Sequence, residues 1–209
     1  MTRVKYPRTP HLPGSPGGTN DDKVLRSTDH LVGREMVATL KMDGENSNLY
    51  RTGFHAKSID GRHHPSRDWL ARFHAGIAHD IPDGWRICGE NMYARHSIAY
   101  DALPSYFLGY SVWDETNTAL AWDDTVEFFE LLGITPVTVL ARGPFDARMP
   151  RDLVAQLNTE RDEGFVLRLA GRFHYDDFGR SVAKWVRAGH VQTDEHWMHA
   201  AIVPNLLAS

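Results

Sequence analysis

The stretch Val37-Ala38-Thr39-Leu40-Lys41-Met42-Asp43-Gly44-Glu45-Asn46 constrains this chain more than any other. An apolar, strand-like run closes on a lysine, and Asp43-Gly44 turns the backbone directly after it, which places the amine at the mouth of a pocket. An ordinary lysine is a solvated cation with a pKa near ~10.4, and only a desolvated site or neighbouring cations free its lone pair to act as a nucleophile. Gly44 lets the backbone turn and approach a ligand closely, while Asp43 can hold the amine or a phosphate-bound metal. The plainer reading of the same residues is a hairpin turn with an exposed lysine.

The rest of the chain bounds the answer. At 209 residues and 42% hydrophobic it can bury one substantial core, and one domain is expected. No apolar run approaches the ~20 residues of a membrane span and the N-terminus lacks a signal-like core, so a soluble, cytoplasmic protein is expected. The single cysteine, Cys88, excludes an internal disulfide and a Cys-rich zinc site, and it sits in a strand-like context. A net charge of -4 argues against tight non-specific binding of nucleic acid. Local clusters of Lys57, Arg62, Arg67 and Arg72, and of Arg168, Arg172, Arg180, Lys184 and Arg187, still allow a basic groove.

Residues 1–22 hold four of the eleven prolines and little periodicity, so they read as an extended arm, either disordered or laid over the surface. Residues 23–190 form the main domain, and 191–209 a helical extension capped at Thr193 with Trp197, Ala200 and Ala201 inward. Thr52-Gly53 reads as a hairpin turn. Ser66 reads as the cap of a helix with Trp69, Leu70, Phe73 and Ile77 on one face. Strands are expected at Trp85–Met92 and Ser105–Trp113, an edge strand at Pro136–Leu140, and a helix at Pro150–Leu157. Asp124 and Glu127 read as a capping box for a helix that Gly133 ends. Strands at Gly164–Leu169 and Ser181–Val186 are expected to be joined by a polar hairpin through Gly171 and Asp176-Asp177. Strand pairs with a few helices and no regular β-α-β alternation indicate an α+β domain of mostly antiparallel sheets. Lys184, central in an apolar strand, is costly to bury unless it meets an anion. Adjacent His63 and His64 on a polar loop do not by themselves make a metal site.

Taken in order, Lys41-Met42-Asp43-Gly44, Gly89-Glu90-Asn91, the run from Tyr106 to Asp114, Glu163-Gly164-Phe165-Val166 and Ala183-Lys184-Trp185-Val186-Arg187 resemble the motifs of covalent nucleotidyltransferases, the polynucleotide ligases and messenger-RNA capping enzymes. Within that superfamily the chain is most similar to ATP-dependent RNA ligases. Tyr6 to Gly17 and His96-Ser97-Ile98-Ala99-Tyr100 resemble features of a minimal bacterial and phage branch. The resemblance runs from about Tyr6 to His190 and favours an ordered arm. It implies the nucleotidyltransferase (ATP-grasp-like) fold, with nucleotide between two mostly antiparallel sheets flanked by helices. About twenty residues follow Arg187, which leaves no room for the C-terminal module of larger ligases.

The resemblance also implies roles. Lys41 becomes the nucleophile that forms lysyl-AMP from ATP. Lys184 and Arg187 depress its pKa and offset phosphoryl charge, and Glu163 holds Mg²⁺ (or Mn²⁺) or an ordered water. Glu90 meets the ribose hydroxyls, and Tyr110, or Phe107, stacks on the purine. Lys57 contacts phosphate or substrate, while Asp43 and Asn46 position the Lys41 segment. Many relatives carry glutamate where this chain has Leu40, so backbone groups of Thr39 or Leu40 are left to read adenine. The implied partners are RNA ends, a 5'-phosphate and a 3'-hydroxyl, with an end-healing protein as a further candidate, in RNA repair. The rivals are a DNA ligase or capping guanylyltransferase of the same fold, and a non-catalytic nucleotide- or RNA-binding module.

Overall fold

The computed structural model describes residues 3–19, 21–59, 63–158, 160–189 and 201–208. In chain order the strands are β1 (Glu35–Lys41), β2 (Glu45–Tyr50), β3 (Gly53–Ala56), β4 (Arg86–Asn91), β5 (Phe107–Trp113), β6 (Thr118–Ala119), β7 (Thr135–Pro136), β8 (Val139–Pro144), β9 (Gly164–Leu169), β10 (Phe173–His174) and β11 (Val182–Val186). The helices are α1 (Asp68–Ile77), α2 (Trp122–Leu132), α3 (Met149–Gln156) and the single turn α4 (Phe178–Ser181).

Met36 to Thr39 are buried without alternation, the signature of a strand covered on both faces. Accordingly β1 lies inside an antiparallel sheet of order β11-β9-β1-β8. A second sheet, of order β10-β6-β5-β4-β2-β3, carries β7 as a short parallel partner of β5. This is the expected α+β class, with two mostly antiparallel sheets flanked by helices. Phe165, Leu167, Phe145 and Leu153 pack with Met36 and Ala38 on one side of β1. Val37, on the other side, joins Leu108, Trp122 and Val137 of the second sheet and its connections. Leu70 of α1 and Phe129 of α2 pack with Ile87, Phe107 and Val112.

Four local expectations are corrected. Helix α2 starts at Trp122, ahead of Asp124, because Trp122 is buried and its N–H donates to Ala170 O at 2.7 Å. Its N-cap, Ala121, makes no side-chain bond, and Asp123 and Asp124 act on the first turn instead. Gly133 ends the helix at φ 65°, as expected. Ser66 is not a cap; it lies in a 3-10 turn, Pro65–Arg67, and its own N–H donates to His64 Nδ1 at 3.3 Å. The Pro136–Leu140 strand is two pieces, because the chain crosses from β7 in one sheet to β8 in the other. The link from β9 to β11 is not a polar hairpin. Buried Phe173 and Phe178 draw it to the second sheet as β10, and α4 returns it to β11.

The expected C-terminal helix falls on residues 190–200, outside the described residues. Beyond them Asn205 is buried, and its side chain donates to Met92 O at 2.7 Å and accepts from the Tyr100 N–H at 2.9 Å.

The arm is laid down as backbone pairing. Leu12 N–H donates to Lys184 O at 2.8 Å, Lys184 N–H donates to Pro10 O at 2.9 Å, and Gly17 N–H donates to Val186 O at 2.9 Å. His11 and Leu12 are buried beneath it.

Gly109 marks the tightest contact between α2 and the second sheet, since a Cβ there would stand 2.6 Å from Phe129 Cζ and 2.9 Å from Ile134 Cγ2. Gly109→Ala therefore overpacks a fully buried ring and should cost about 1–3 kcal/mol, read as a lower denaturant midpoint with unchanged slope.

Candidate active site

Lys41 is the last residue of β1, and the next strand, β2, belongs to the other sheet. Met42-Asp43-Gly44 is thus a bridge between sheets, and it lies close against β4. A Cβ on Gly44 would stand 2.6 Å from Met92 Sδ and 2.9 Å from Asn91 O, so glycine is what lets the crossing be this short. Asp43 anchors the bridge. Its Oδ2 accepts from Ser97 N–H at 2.9 Å, Ser97 Oγ–H at 2.6 Å and Ile98 N–H at 2.8 Å, while its own N–H donates to Tyr100 OH at 3.0 Å. The His96–Tyr100 run therefore serves as the socket for Asp43.

Between the sheets lies a cleft of about 2250 Å³, larger than the ~300–1,000 Å³ of ordinary small-molecule pockets and roomy enough for more than a mononucleotide. Register brings its cations onto one face: Thr39 pairs with Val166, which pairs with Lys184, and Lys41 pairs with Gly164 two residues along. Lys41 Nζ lies 2.5 Å from Glu163 Oε1, with Glu163 1% exposed. Gly164, at φ 156°, permits the close approach of β11 beside Glu163, since a Cβ would sit 2.0 Å from Trp185 O. The Glu163-Gly164 pair is thus a steric necessity of the β9–β11 crossing as well as a charge beside Lys41.

Lys41 was expected to have a depressed pKa, and its direction here is the reverse. Burial works to lower it, but the charges of Glu163 and Glu90 outweigh burial and hold the ammonium above the usual lysine range. In this resting form Lys41 is a stored cation. Lys184 goes the other way: burial lowers it, against the pull of Asp22, and Lys41 adds to the lowering. Glu90 is held well above the usual carboxylate range by burial, with Lys41 opposing and Glu163 and Asp43 assisting. Its Oε2 is buried without a hydrogen-bond partner, and it faces the cleft. A buried carboxylate oxygen without a partner, on the cleft wall, fits a ligand that offers it a hydrogen-bond donor, such as a hydroxyl.

Glu90 pairs with Asn46 across β2 and β4. The Asn46 side-chain amide donates to Tyr110 OH, and Asn46 Oδ1 accepts from Asn48 Nδ2 at 3.0 Å. Cys88, whose thiol burial pushes up to about 11, donates to Asn48 Oδ1 at 3.1 Å. This chain of bonds fixes Tyr110 in the cleft wall. Phe107, the other aromatic expected there, is wholly buried against Phe73 on the opposite side of the strand.

Thr39, Leu40, Lys41, Asp43, Asn46, Lys57, Glu90, Tyr110, Glu163 and Lys184 all line the cleft, Lys57 at an exposed position. Arg187 is not brought to it; its N–H donates to Glu163 O at 3.0 Å, and so it braces the glutamate through backbone. The Leu40 N–H is committed to Thr138 O at 2.8 Å, which removes it as a reader of a base. Sequence reasoning passed over Glu45 and named Arg67 and Arg168 only as members of basic clusters, yet all three line the cleft. Glu45 and Arg67 form a two-bond ion pair, Arg67 Nε donating to Glu45 Oε2 at 2.8 Å. Arg168, lowered to about 10 by burial, donates to Leu120 O at 2.7 Å and Leu169 O at 3.1 Å, tying β9 to the second sheet. An arginine at an inward position of an apolar strand was the available signal. Among the described residues no group of three or more His, Cys, Asp or Glu converges as a metal cage. A divalent cation here would take one carboxylate, Glu163, and complete its shell from phosphate and water, as Mg²⁺ commonly does.

Among the described residues no helix is long and apolar enough to cross a membrane. Solved structures share the fold at low identity. An archaeal ATP-dependent RNA ligase superposes with a TM-score of 0.62 at 15% identity, over 88% of this chain and 48% of that one. The Naegleria gruberi RNA ligase with PPi gives 0.57 at 17%, over 77% and 51%, and a mutant of it with AMP and Mn gives 0.56 at 14%, over 89% and 62%. The chain thus spans between 48% and 62% of the length of these three structures. No curated protein matches the sequence. The family model for RNA ligase matches residues 34–186, from the strand that carries Lys41 to the one that carries Lys184, and the chain belongs to the RNA ligase family.

Proposed function

We propose that this chain is an ATP-dependent RNA ligase acting through Lys41. The observation that carries the reading is the convergence of Lys41, Glu163, Glu90 and Lys184, drawn from three strands and a strand mouth, on one cleft. Support for ATP and a divalent ion comes from the solved relatives, whose structures hold ATP with Mn and AMP with Mn.

In the first step the Lys41 amine, relieved of its proton, attacks the α-phosphorus of ATP. A nitrogen–phosphorus bond forms, the bond to the β-phosphate oxygen breaks, and pyrophosphate leaves. In the second, an oxygen of an RNA 5'-phosphate displaces Lys41 from phosphorus and takes up AMP. In the third, a 3'-hydroxyl attacks the same 5'-phosphate, closing the phosphodiester and releasing AMP. Lys184, on the same sheet face as Lys41, lies where charge grows on phosphoryl oxygens. Glu90 accepts hydrogen bonds from the ribose hydroxyls. Tyr110 supplies the flat surface for the base. A divalent ion at Glu163 supplies charge neutralisation at the phosphates.

Lys41 is the step-one nucleophile, so incubation with ATP and Mg²⁺ should raise the intact mass by one AMP, and Lys41→Ala should show no increase. Lys184→Ala should form the adduct about 10²- to 10³-fold more slowly. Folded wild-type protein that takes up no nucleotide covalently would leave a binding module in its place. Nicked RNA and nicked DNA offered to the adduct then decide the strand preference.

The pH profile provides a second check. Because the folded protein holds the Lys41 ammonium above the ordinary range, the reactive amine fraction grows with pH. The apparent second-order rate of adduct formation should therefore climb as pH rises through neutrality, with no plateau until the pH passes the raised value.

A further inference from the structure

The Tyr6–Gly17 run takes no part in the chemistry just described, yet it is built into the cleft. By pairing in parallel with β11 it carries His11 beside Lys184, and Leu25 N–H, donating to His11 O at 2.8 Å, returns the chain so that Asp22 faces the same lysine. Asp22 Oδ1 lies 3.7 Å from Lys184 Nζ, and both side chains are nearly buried, at 11% and 12% exposure. The carboxylate is held from behind: Thr19 N–H and Oγ–H each donate to Oδ2 at 3.0 Å. His11, fully buried, hydrogen-bonds Ser15 Oγ through Nδ1 at 2.9 Å and turns Nε2 toward Asp22 Oδ2 at 3.6 Å. Ser15 Oγ in turn accepts the Val186 N–H at 2.9 Å, two residues beyond Lys184.

The charges that face Lys184 come from several elements: Asp22 and His11 from the arm, Lys41 from β1, Glu163 ahead of β9 and Lys57 after β3. Two ammonium groups on one sheet face repel each other, and desolvation disfavours both. Glu163 is already committed to Lys41 at 2.5 Å. Asp22 is the carboxylate that the arm delivers to the other lysine. Packing alone has no need of it, because Leu12 and the backbone ladder already pin the arm.

We propose that Asp22, fixed by Thr19, is a positioning residue that holds Lys184 cationic and in place in the cleft. The N-terminal arm thereby completes the site. This inference rests on the ligase reading for its kinetic consequence and on geometry alone for its electrostatic one, and the two are measured separately.

Asp22→Asn should slow lysyl-AMP formation about 10-fold, the scale seen when an active group loses its orienting partner, and Asp22→Glu should recover most of the rate. In a Lys184→Ala background the same Asp22→Asn change should have no further effect. Quantitative amine labelling read by peptide mass spectrometry supplies the electrostatic arm: Lys184 should be modified faster in Asp22→Asn than in wild type, because its ammonium has lost the charge that stabilises it. A full-rate Asp22→Asn enzyme, or one slowed equally with and without Lys184, overturns the proposal, as does unchanged labelling of Lys184. Wild-type protein that forms no adduct defeats the ligase reading instead, and the labelling result still decides the role of Asp22.

Discussion

A carboxylate that has left water must find a cation, and the contact between buried Glu163 and partly buried Lys41 imposes that condition on the whole architecture. One partner ends β1 and the other precedes β9, so the two strands must be neighbours with their ends level. The register Lys41 to Gly164 does this, and the lack of a side chain at Gly164 admits β11 alongside. Isolating either charge in this cleft would be far costlier than leaving it exposed, since a buried unpaired ion loses its hydration with nothing in return. In the reaction proposed for Lys41, the amine has to leave this contact before it can attack.

The second organising feature is the set of polar links between the two sheets. At Met42–Gly44 the chain leaves the sheet of Lys41 for the sheet of Glu90, and Asp43 is gripped by Ser97 and Ile98 at that point. Arg168 ties the sheets together elsewhere through the carbonyls of Leu120 and Tyr110. These polar links are buried and span long sequence separations. They hold the width of the cleft where apolar packing alone would let the two layers close.

Much of this was legible in the sequence. The unalternating apolar run before Lys41 dictated a covered central strand, and Lys184 inside another such run demanded an anion. The fold class followed from strand pairs without regular β-α-β alternation, and the candidate site residues from the order of the motifs that resemble nucleotidyltransferases. What was hidden depends on partners distant in sequence. The raised Lys41 pKa needs the positions of Glu163 and Glu90, which no local pattern supplies. The start of α2 was misjudged because a burial contact of Trp122 outweighed a local capping preference. The 171–178 segment looked polar because its two buried phenylalanines, Phe173 and Phe178, are separated by polar residues. Arg187 carries the right charge at the end of the right strand, yet its side chain does not reach the cleft.

The arm that pairs with β11 also occupies what would otherwise be the open edge of the four-stranded sheet. An uncovered edge presents a row of unsatisfied amides and carbonyls to any passing strand. Loss of the first two dozen residues, whether by proteolysis or by trimming a recombinant protein, would therefore do more than remove a peripheral segment. It would create a template for intermolecular strand addition next to the most highly charged part of the molecule, and self-association would be the first symptom of a shortened N-terminus.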